Sequence, residues 1–179
     1  HLRDRDLDVR LLFDQTGPER TAATTIGTGD RFQGGRIPPQ GLGSRTDTHD
    51  EELGPIMNAD EIDSAIQGLV DEYGIQTFDV PNTTSEGAFG KGGMTGPVNR
   101  DAYRVYFTAG VHPRERGGPD SLIYFIADLL FAQKHAKGLA YGAKVFSNAD
   151  VVRALKTGIV FFPLVNPDGL KHDQKTDSL

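Results

Sequence analysis

Two apolar runs rich in β-branched and aromatic residues, at 103–111 and 159–165, limit the fold of this chain more than any other feature. Residues of these types are enriched in strands, and apolar runs of this length are typical of strands buried in a sheet. The sequence before and between the runs has helical periodicity. This alternation predicts an α/β fold with a mostly parallel or mixed central sheet flanked by helices, in which binding sites lie beyond the carboxyl ends of strands.

Three segments have the periodicity and the end signals of amphipathic helices. The first begins at Asn58, which has a glutamate three residues later as in a capping box, and ends at Gly74. The second has Pro119 in its first turn, and the third begins at Ser147 and ends at Gly158. The side chains expected to face the core are Ile62, Ile66, Leu69, Val70, Tyr73, Leu122, Ile123, Ile126, Leu129, Leu130, Val151, Val152 and Leu155.

The rest of the chain has other patterns. Residues 1–55 are rich in glycine, threonine, proline and charged residues and are predicted to form an extended N-terminal arm, with a strand-like alternation at 7–13. A short strand is predicted at 77–80. The glycines within 82–100 are too dense for regular structure, so a long loop is predicted there. The Asn-Pro-Asp-Gly run at 166–169 predicts a turn.

The composition excludes several classes of partner and site. The net charge is −6, and the 19 lysines and arginines are not clustered as a nucleic-acid surface requires. No run approaches the roughly 20 apolar residues of a membrane-spanning helix. The chain has no cysteine, so a bound metal has only histidine and carboxylate side chains as ligands. We therefore expect neither a nucleic acid nor a membrane as a partner.

The start of the sequence bears on location. The first residue is His1 rather than methionine, and no apolar leader follows it. We read this start as that of a processed mature chain, which favours a secreted protein, although an artificially shortened chain has the same appearance. The Asn-Thr-Thr sequon at 82–84 adds little, since such triplets are frequent by chance.

A histidine and a glutamate three residues apart, His112 and Glu115, follow the first apolar run directly. An imidazole nitrogen and a carboxylate oxygen are both zinc ligands, and two such donors occupy two corners of a tetrahedron. A catalytic zinc usually has three protein ligands and leaves one position open. A His-x-x-Glu pair alone is common by chance and is more often surface charge.

The wider sequence resembles the carboxypeptidase A family of zinc metallopeptidases over about residues 55–179. The run 107–115, Phe-Thr-Ala-Gly-Val-His-Pro-Arg-Glu, is similar to the family's first metal motif. The run 161–169, Phe-Phe-Pro-Leu-Val-Asn-Pro-Asp-Gly, resembles its second landmark. Thr-Ser-Glu-Gly at 84–87 and the first predicted helix also resemble family features. The two motifs in this order are specific, whereas either alone is weak.

The resemblance implies a carboxypeptidase-like α/β/α sandwich, incomplete in this chain, with residues 56–179 as the N-terminal part of the catalytic domain. It implies His112 and Glu115 as ligands of Zn²⁺. It also implies that Arg114 lies near the scissile carbonyl or the substrate carboxylate, a role that suits its planar fork. A solvated surface ion pair is the alternative for Arg114. Asn166 and Asp168 are expected to hold a turn.

The other histidines do not complete a metal site by any pattern in the sequence. His135 lies late in the second predicted helix, where a solvated cation is favoured. His172 follows the Asn-Pro-Asp-Gly run, and His1 and His49 lie in the predicted arm. In the family a later part of the domain supplies the third ligand, a histidine, and the glutamate that acts as general base. No catalytic residue is therefore assigned in this chain.

The function that the resemblance implies is zinc-dependent hydrolysis of the C-terminal peptide bond of a peptide or protein. We expect a C-terminal chain or segment of the same enzyme to complete the site; a shortened chain and a degenerate relative are the alternatives. A noncatalytic carboxypeptidase-like interaction protein and a related zinc amidohydrolase are the rival functions. Retention of His112, Arg114 and Glu115 argues against the first rival, and the Asn-Pro-Asp-Gly run argues against the second.

Overall fold

The computed structural model describes residues 26–41 and 55–176 of the chain. Four helices and six strands follow one another in this part. The helices are α1 (Ala59–Tyr73), α2 (Gly117–Lys134), α3 (Asn148–Lys156) and α4 (Pro167–Thr176). The strands are β1 (Gln76–Asp79), β2 (Lys91–Thr95), β3 (Val105–Thr108), β4 (Leu139–Tyr141), β5 (Lys144–Phe146) and β6 (Ile159–Phe162). Short 3-10 turns lie at Gln33–Gly35 and Arg100–Ala102.

The main sheet has four strands in the order β1-β2-β6-β3. β1 and β2 are antiparallel, as are β2 and β6, whereas β3 and β6 are parallel. The predicted α/β fold is therefore confirmed, and the sheet takes the mixed form of that prediction. β4 and β5 form a separate two-stranded hairpin that the sequence did not predict.

All three predicted helices are present, with the predicted end signals. At the start of α1, Asn58 Oδ1 accepts from Glu61 N at 2.9 Å and Glu61 Oε2 accepts from Asn58 N at 3.1 Å, which is the expected capping box. Gly74 ends α1 in the left-handed conformation with φ of 66°. Ser147 caps α3. The predicted core residues of these helices are buried, except that Val70, Tyr73 and Val152 are half-buried.

The prediction of one long loop over 82–100 was wrong, because β2 lies inside it. The glycines are needed there for packing rather than for flexibility. A Cβ on Gly92 would lie 2.3 Å from Cζ of Phe78, and a Cβ on Gly93 would lie 2.2 Å from Cζ of Phe161. The aromatic rings of the neighbouring strands therefore cross directly over β2, and only glycine leaves room for them.

Two further predictions need correction. The run 103–111 was expected to be a buried strand, but β3 is shorter and lies at one edge of the sheet, where Tyr106 is 61% and Phe107 37% exposed. The Asn-Pro-Asp-Gly run was expected to form a turn, but Pro167 begins α4. Proline is favoured in the first turn of a helix, because its missing N–H has no partner there.

Residues 26–41, which we call the strap, pack against α1. Phe32 is buried, and the Arg31 guanidinium pairs with the buried Glu61 carboxylate at 2.8 Å. Asn58 Nδ2 donates to two backbone carbonyl oxygens of the strap. The rest of the predicted arm, including the alternating segment at 7–13, lies outside the described residues. Among the helices of the described part, none is long and apolar enough to cross a membrane.

Candidate metal site

The site lies where β3 and β6 end, at the same edge of the sheet. Because these strands are parallel, their carboxyl ends meet, and the chain continues from them in register. Val165 N donates to Ala109 O at 3.1 Å, and Asn166 N donates to Gly110 O at 2.9 Å. Gly110 has φ of 63°, and a Cβ there would lie 2.9 Å from a methyl carbon of Leu164. The two sequence motifs are therefore joined by backbone hydrogen bonds.

His112 and Glu115 lie on one tight turn that follows this junction. Glu115 N donates to His112 O at 3.1 Å, and Gly118 N donates to Glu115 O at 3.3 Å. Both candidate ligands are exposed, so their side chains are accessible to an ion from solvent. We call residues 112–116 the ligand turn.

The donor set fits zinc in chemical type, but it is incomplete. Imidazole and carboxylate are zinc ligands, and a catalytic site usually has three from the protein. Within 26–41 and 55–176, no group of three or more histidine, cysteine, aspartate or glutamate side chains is placed to hold a metal ion. His112 and Glu115 therefore account for two donors. The described part of the chain offers no third.

Two arginines of the ligand turn differ in their surroundings. Arg114 is exposed over 77% of its side chain, and its Nε lies 3.8 Å from Asp173 Oδ1, so this contact is loose and solvated. Arg116 is exposed over only 17%, and its Nε donates to Asp173 Oδ2 at 2.7 Å. Arg114 is therefore the cation that projects into solvent beside the candidate ligands, and Arg116 belongs to a buried ion pair.

Sequence reasoning missed the pair formed by Arg116 and Asp173. A weak signal was available, because Asp173 lies three residues after the buried Leu170 and so on the same helical face. That spacing predicts a buried carboxylate, which needs a cation. That prediction would have required a helix after Asn166, where the sequence analysis had predicted a turn.

Asn166 and Asp168 have structural roles, as expected, but at the start of α4 rather than in a turn. Asn166 Oδ1 accepts from Gly169 N at 2.9 Å, and its Nδ2 donates to Val111 O at 3.4 Å. Asp168 accepts from the hydroxyls of Thr84 and Ser85 at 2.7 and 3.2 Å and from Glu86 N at 3.0 Å. These hydrogen bonds lower the pKa of Asp168 below its ordinary value, and the bond from the Thr84 hydroxyl has the largest effect.

The remaining histidines of the described part lie apart from any cluster of metal donors. His135 ends α2, where its ring lies 4.3 Å from the ring of Phe131 and is exposed. His172 is exposed on α4. His1 and His49 lie outside the described residues.

Comparison with known proteins agrees with the resemblance. The sequence model of the zinc carboxypeptidase family matches residues 83–179, more than half of the chain. The crystal structure of thrombin activatable fibrinolysis inhibitor (TAFI) is similar to this structure, with a TM-score of 0.55 and 17% sequence identity. The match covers 75% of this chain and 32% of that one, so the chain spans about a third of its structural relative. No curated protein sequence matches the chain. At this identity the structural likeness shows the fold.

Proposed function

The chain belongs to the zinc carboxypeptidase family, and on that basis we propose that it is the N-terminal part of a zinc-dependent metallocarboxypeptidase. The proposed reaction is hydrolysis of the C-terminal peptide bond of a peptide or protein. The observation that carries the proposal is the placement of His112 and Glu115 on one exposed turn, at the carboxyl end of β3 and beside the end of β6.

In this proposal His112 and Glu115 hold the metal through an imidazole nitrogen and a carboxylate oxygen. A zinc ion held by these two residues would supply Lewis-acid chemistry at the scissile carbonyl. Arg114 projects from the same turn and carries a permanent charge, so it attracts the substrate carboxylate or the negative charge that develops at the carbonyl oxygen. The planar guanidinium favours bidentate contact with a carboxylate.

We further propose that a C-terminal chain or segment supplies the third ligand and the general base. The supporting observation is the edge of the sheet at β3. Within the described residues β3 pairs with β6 alone, and the side chains of Tyr106 and Phe107 remain exposed. An unpaired apolar edge of this kind favours addition of another strand. A strand added there would bring new side chains to the same edge as the ligand turn.

Two rival functions predict different results in one set of measurements. A noncatalytic interaction protein has no need of a metal, and the incomplete donor set of the described residues is compatible with it. A zinc amidohydrolase uses the same metal but acts on different substrates. The amount of bound zinc separates the first rival from the proposal, and the substrate range separates the second.

The experiment measures zinc content and release of C-terminal amino acids for the purified protein with every chain that accompanies it, whose intact masses are recorded. We expect about one zinc per assembly, lost in His112→Ala and retained in His172→Ala, a matched control on exposed α4. Loss of peptide hydrolysis should accompany loss of zinc. Absence of His112-dependent zinc refutes the metalloenzyme, and zinc with hydrolysis of acylated amines but not of peptides identifies the amidohydrolase.

A further inference from the structure

We propose that Asp173 is a positioning residue for the ligand turn: through Arg116 it fixes the end of the turn that carries His112 and Glu115. This inference rests on the proposed function, because its consequence is the binding of zinc. Asp173 lies on α4 and is separated from Arg116 by 57 positions in the chain. It has no place in the family motifs from which the two ligands were identified.

The ion pair is buried enough to determine local geometry. Asp173 is 5% exposed, and a buried carboxylate without a partner is strongly unfavourable. Arg116 Nε donates to it at 2.7 Å from a side chain that is itself mostly buried. The longer contact from the exposed Arg114 adds little, because solvent screens it. The Arg116 side chain is therefore restrained by its ion pair with Asp173.

The pair acts at the exit of the ligand turn. Arg116 directly follows Glu115 and directly precedes the first residue of α2. The backbone N–H of Glu115 donates to His112 O, and the backbone oxygen of Glu115 accepts from Gly118 N. A shift of Arg116 would therefore move the backbone that carries the Glu115 carboxylate.

The start of the ligand turn is held by the same part of the chain. Asn166 donates from its backbone to Gly110 O and from its side chain to Val111 O, immediately before His112. Asn166 and Asp173 lie at the two ends of one short segment, the last residue before α4 and the inner face of α4. The backbone just before the ligand turn and Arg116 at its end are therefore both attached to one short segment, 166–173.

This attachment matters because the ligands themselves are exposed. A metal site needs its donors held within about 0.5 Å of the productive geometry, and groups behind the ligands usually provide that restraint. The restraint on the His112 and Glu115 backbone comes from its two ends. We infer that loss of the ion pair loosens the turn and weakens zinc binding about tenfold, at the lower end of the effects seen for supporting groups in metal sites.

A double-mutant cycle separates positioning from a direct effect of charge. Positioning predicts that Asp173→Asn and Arg116→Gln each weaken zinc binding about tenfold, and that the double variant is no weaker than either single one. A direct Coulomb effect predicts opposite changes in the two single variants. Removing the anion of Asp173 would weaken zinc binding, whereas removing the cation of Arg116 would strengthen it. The matched control is Asp60→Asn, which removes a carboxylate from an exposed ion pair with Lys171 of α4. We expect zinc affinity to be unchanged in this control.

Two measurements are made on each variant: zinc affinity by competition with a chromophoric chelator, and backbone hydrogen exchange of the peptide spanning 109–118 without metal. We expect faster exchange in that peptide in all three Asp173 and Arg116 variants, and wild-type exchange in Asp60→Asn. Thermal unfolding identifies variants that fail to fold. If Arg116→Gln fails to fold, Arg116→Lys replaces it, since lysine keeps the buried charge paired but lacks the Nε donor. We expect Arg116→Lys to bind zinc severalfold more weakly than wild type.

The outcomes distinguish this inference from the proposed function. Zinc binding that does not depend on His112 refutes both. Zinc binding that depends on His112 but is unchanged in Asp173→Asn overturns the positioning role alone. Tighter binding in Arg116→Gln also overturns it, in favour of direct electrostatics. Lower thermal stability with wild-type zinc affinity and exchange shows that the pair only stabilises the fold, which overturns the proposal as well.

Discussion

Gly68, in the middle of α1, lies directly beneath the strap, and its replacement by alanine tests whether the strap is docked. A Cβ at this position would lie 2.9 Å from Pro38 Cα and 3.2 Å from Ile37 O. It would also lie 3.2 Å from Pro39 Cδ. Since two of these atoms belong to the backbone and the third is fixed in a proline ring, a rotamer change cannot relieve the contact. The strap or α1 must shift.

The sign of the effect is decided by two opposing contributions. Alanine in a helix interior is more favourable than glycine by about 1 kcal/mol. Overpacking of a well-packed contact costs typically about 1–3 kcal/mol. With the strap docked, the free energy of unfolding should therefore fall by about 1 kcal/mol, a decrease of about 2–4 °C in Tm for a protein of this size. With the strap undocked, the same substitution should raise the free energy of unfolding by about 1 kcal/mol.

The assay is urea unfolding followed by circular dichroism, with Gly117→Ala as the control. A Cβ on Gly117, in the first turn of α2, meets no atom within 4 Å, so this control reports the effect of alanine in a helix without overpacking. We expect Gly68→Ala to be less stable than wild type and Gly117→Ala to be at least as stable. A Gly68→Ala protein that is stabilised would refute the docking of the strap on α1.

Two further predictions concern packing and pH. Gly93→Ala should lower the free energy of unfolding by about 2 kcal/mol in urea titrations, because its Cβ would meet the Phe161 ring. Adding Phe161→Leu to the same chain should recover part of the loss. Equal stability of Gly93→Ala and wild type would contradict this packing. Burial is the largest of the effects that raise the pKa of Asp120 from 3.8 to about 6. The contribution of this carboxyl group to the free energy of unfolding is therefore present in full below pH 3.8 and is lost as pH rises through about 6. Asp120→Asn should therefore gain stability relative to wild type across that window, and a constant difference in unfolding free energy would be contrary to the shift.

Local signals in the sequence predicted the helices well, because the atoms that end a helix are near in sequence. The capping box of Asn58 with Glu61 and the left-handed Gly74 are contacts within a few residues. β2 was missed for the opposite reason. Its glycines have the composition of a loop, and the need for glycine at position 93 comes from the ring of Phe161, which is 68 positions later in the chain. No periodicity within residues 82–100 carries that information.

The same distinction applies to the site. His112 and Glu115 were predicted as ligands because they lie three positions apart in the sequence, whereas Asp173 and Asn166, which bond to the residues directly beside them, lie more than 50 positions away. These two ligand positions remain predictions, since no third donor joins them in the described part of the chain. The burial of Asp173 depended on α4, and α4 was itself hidden by the turn signal of Asn-Pro-Asp-Gly.

The two motifs of the family are therefore one structural unit rather than two separate landmarks. The segment from Asn166 to Asp173 bonds to the backbone just before the ligand turn and to Arg116 at the end of the turn. Asp168 within the segment bonds to the Thr-Ser-Glu run at 84–86. A substitution in this segment changes the backbone of the ligand turn without touching a ligand. Its effects on zinc binding should resemble those of ligand substitutions in kind and be smaller in size, since each removes a support and leaves both donors in the chain.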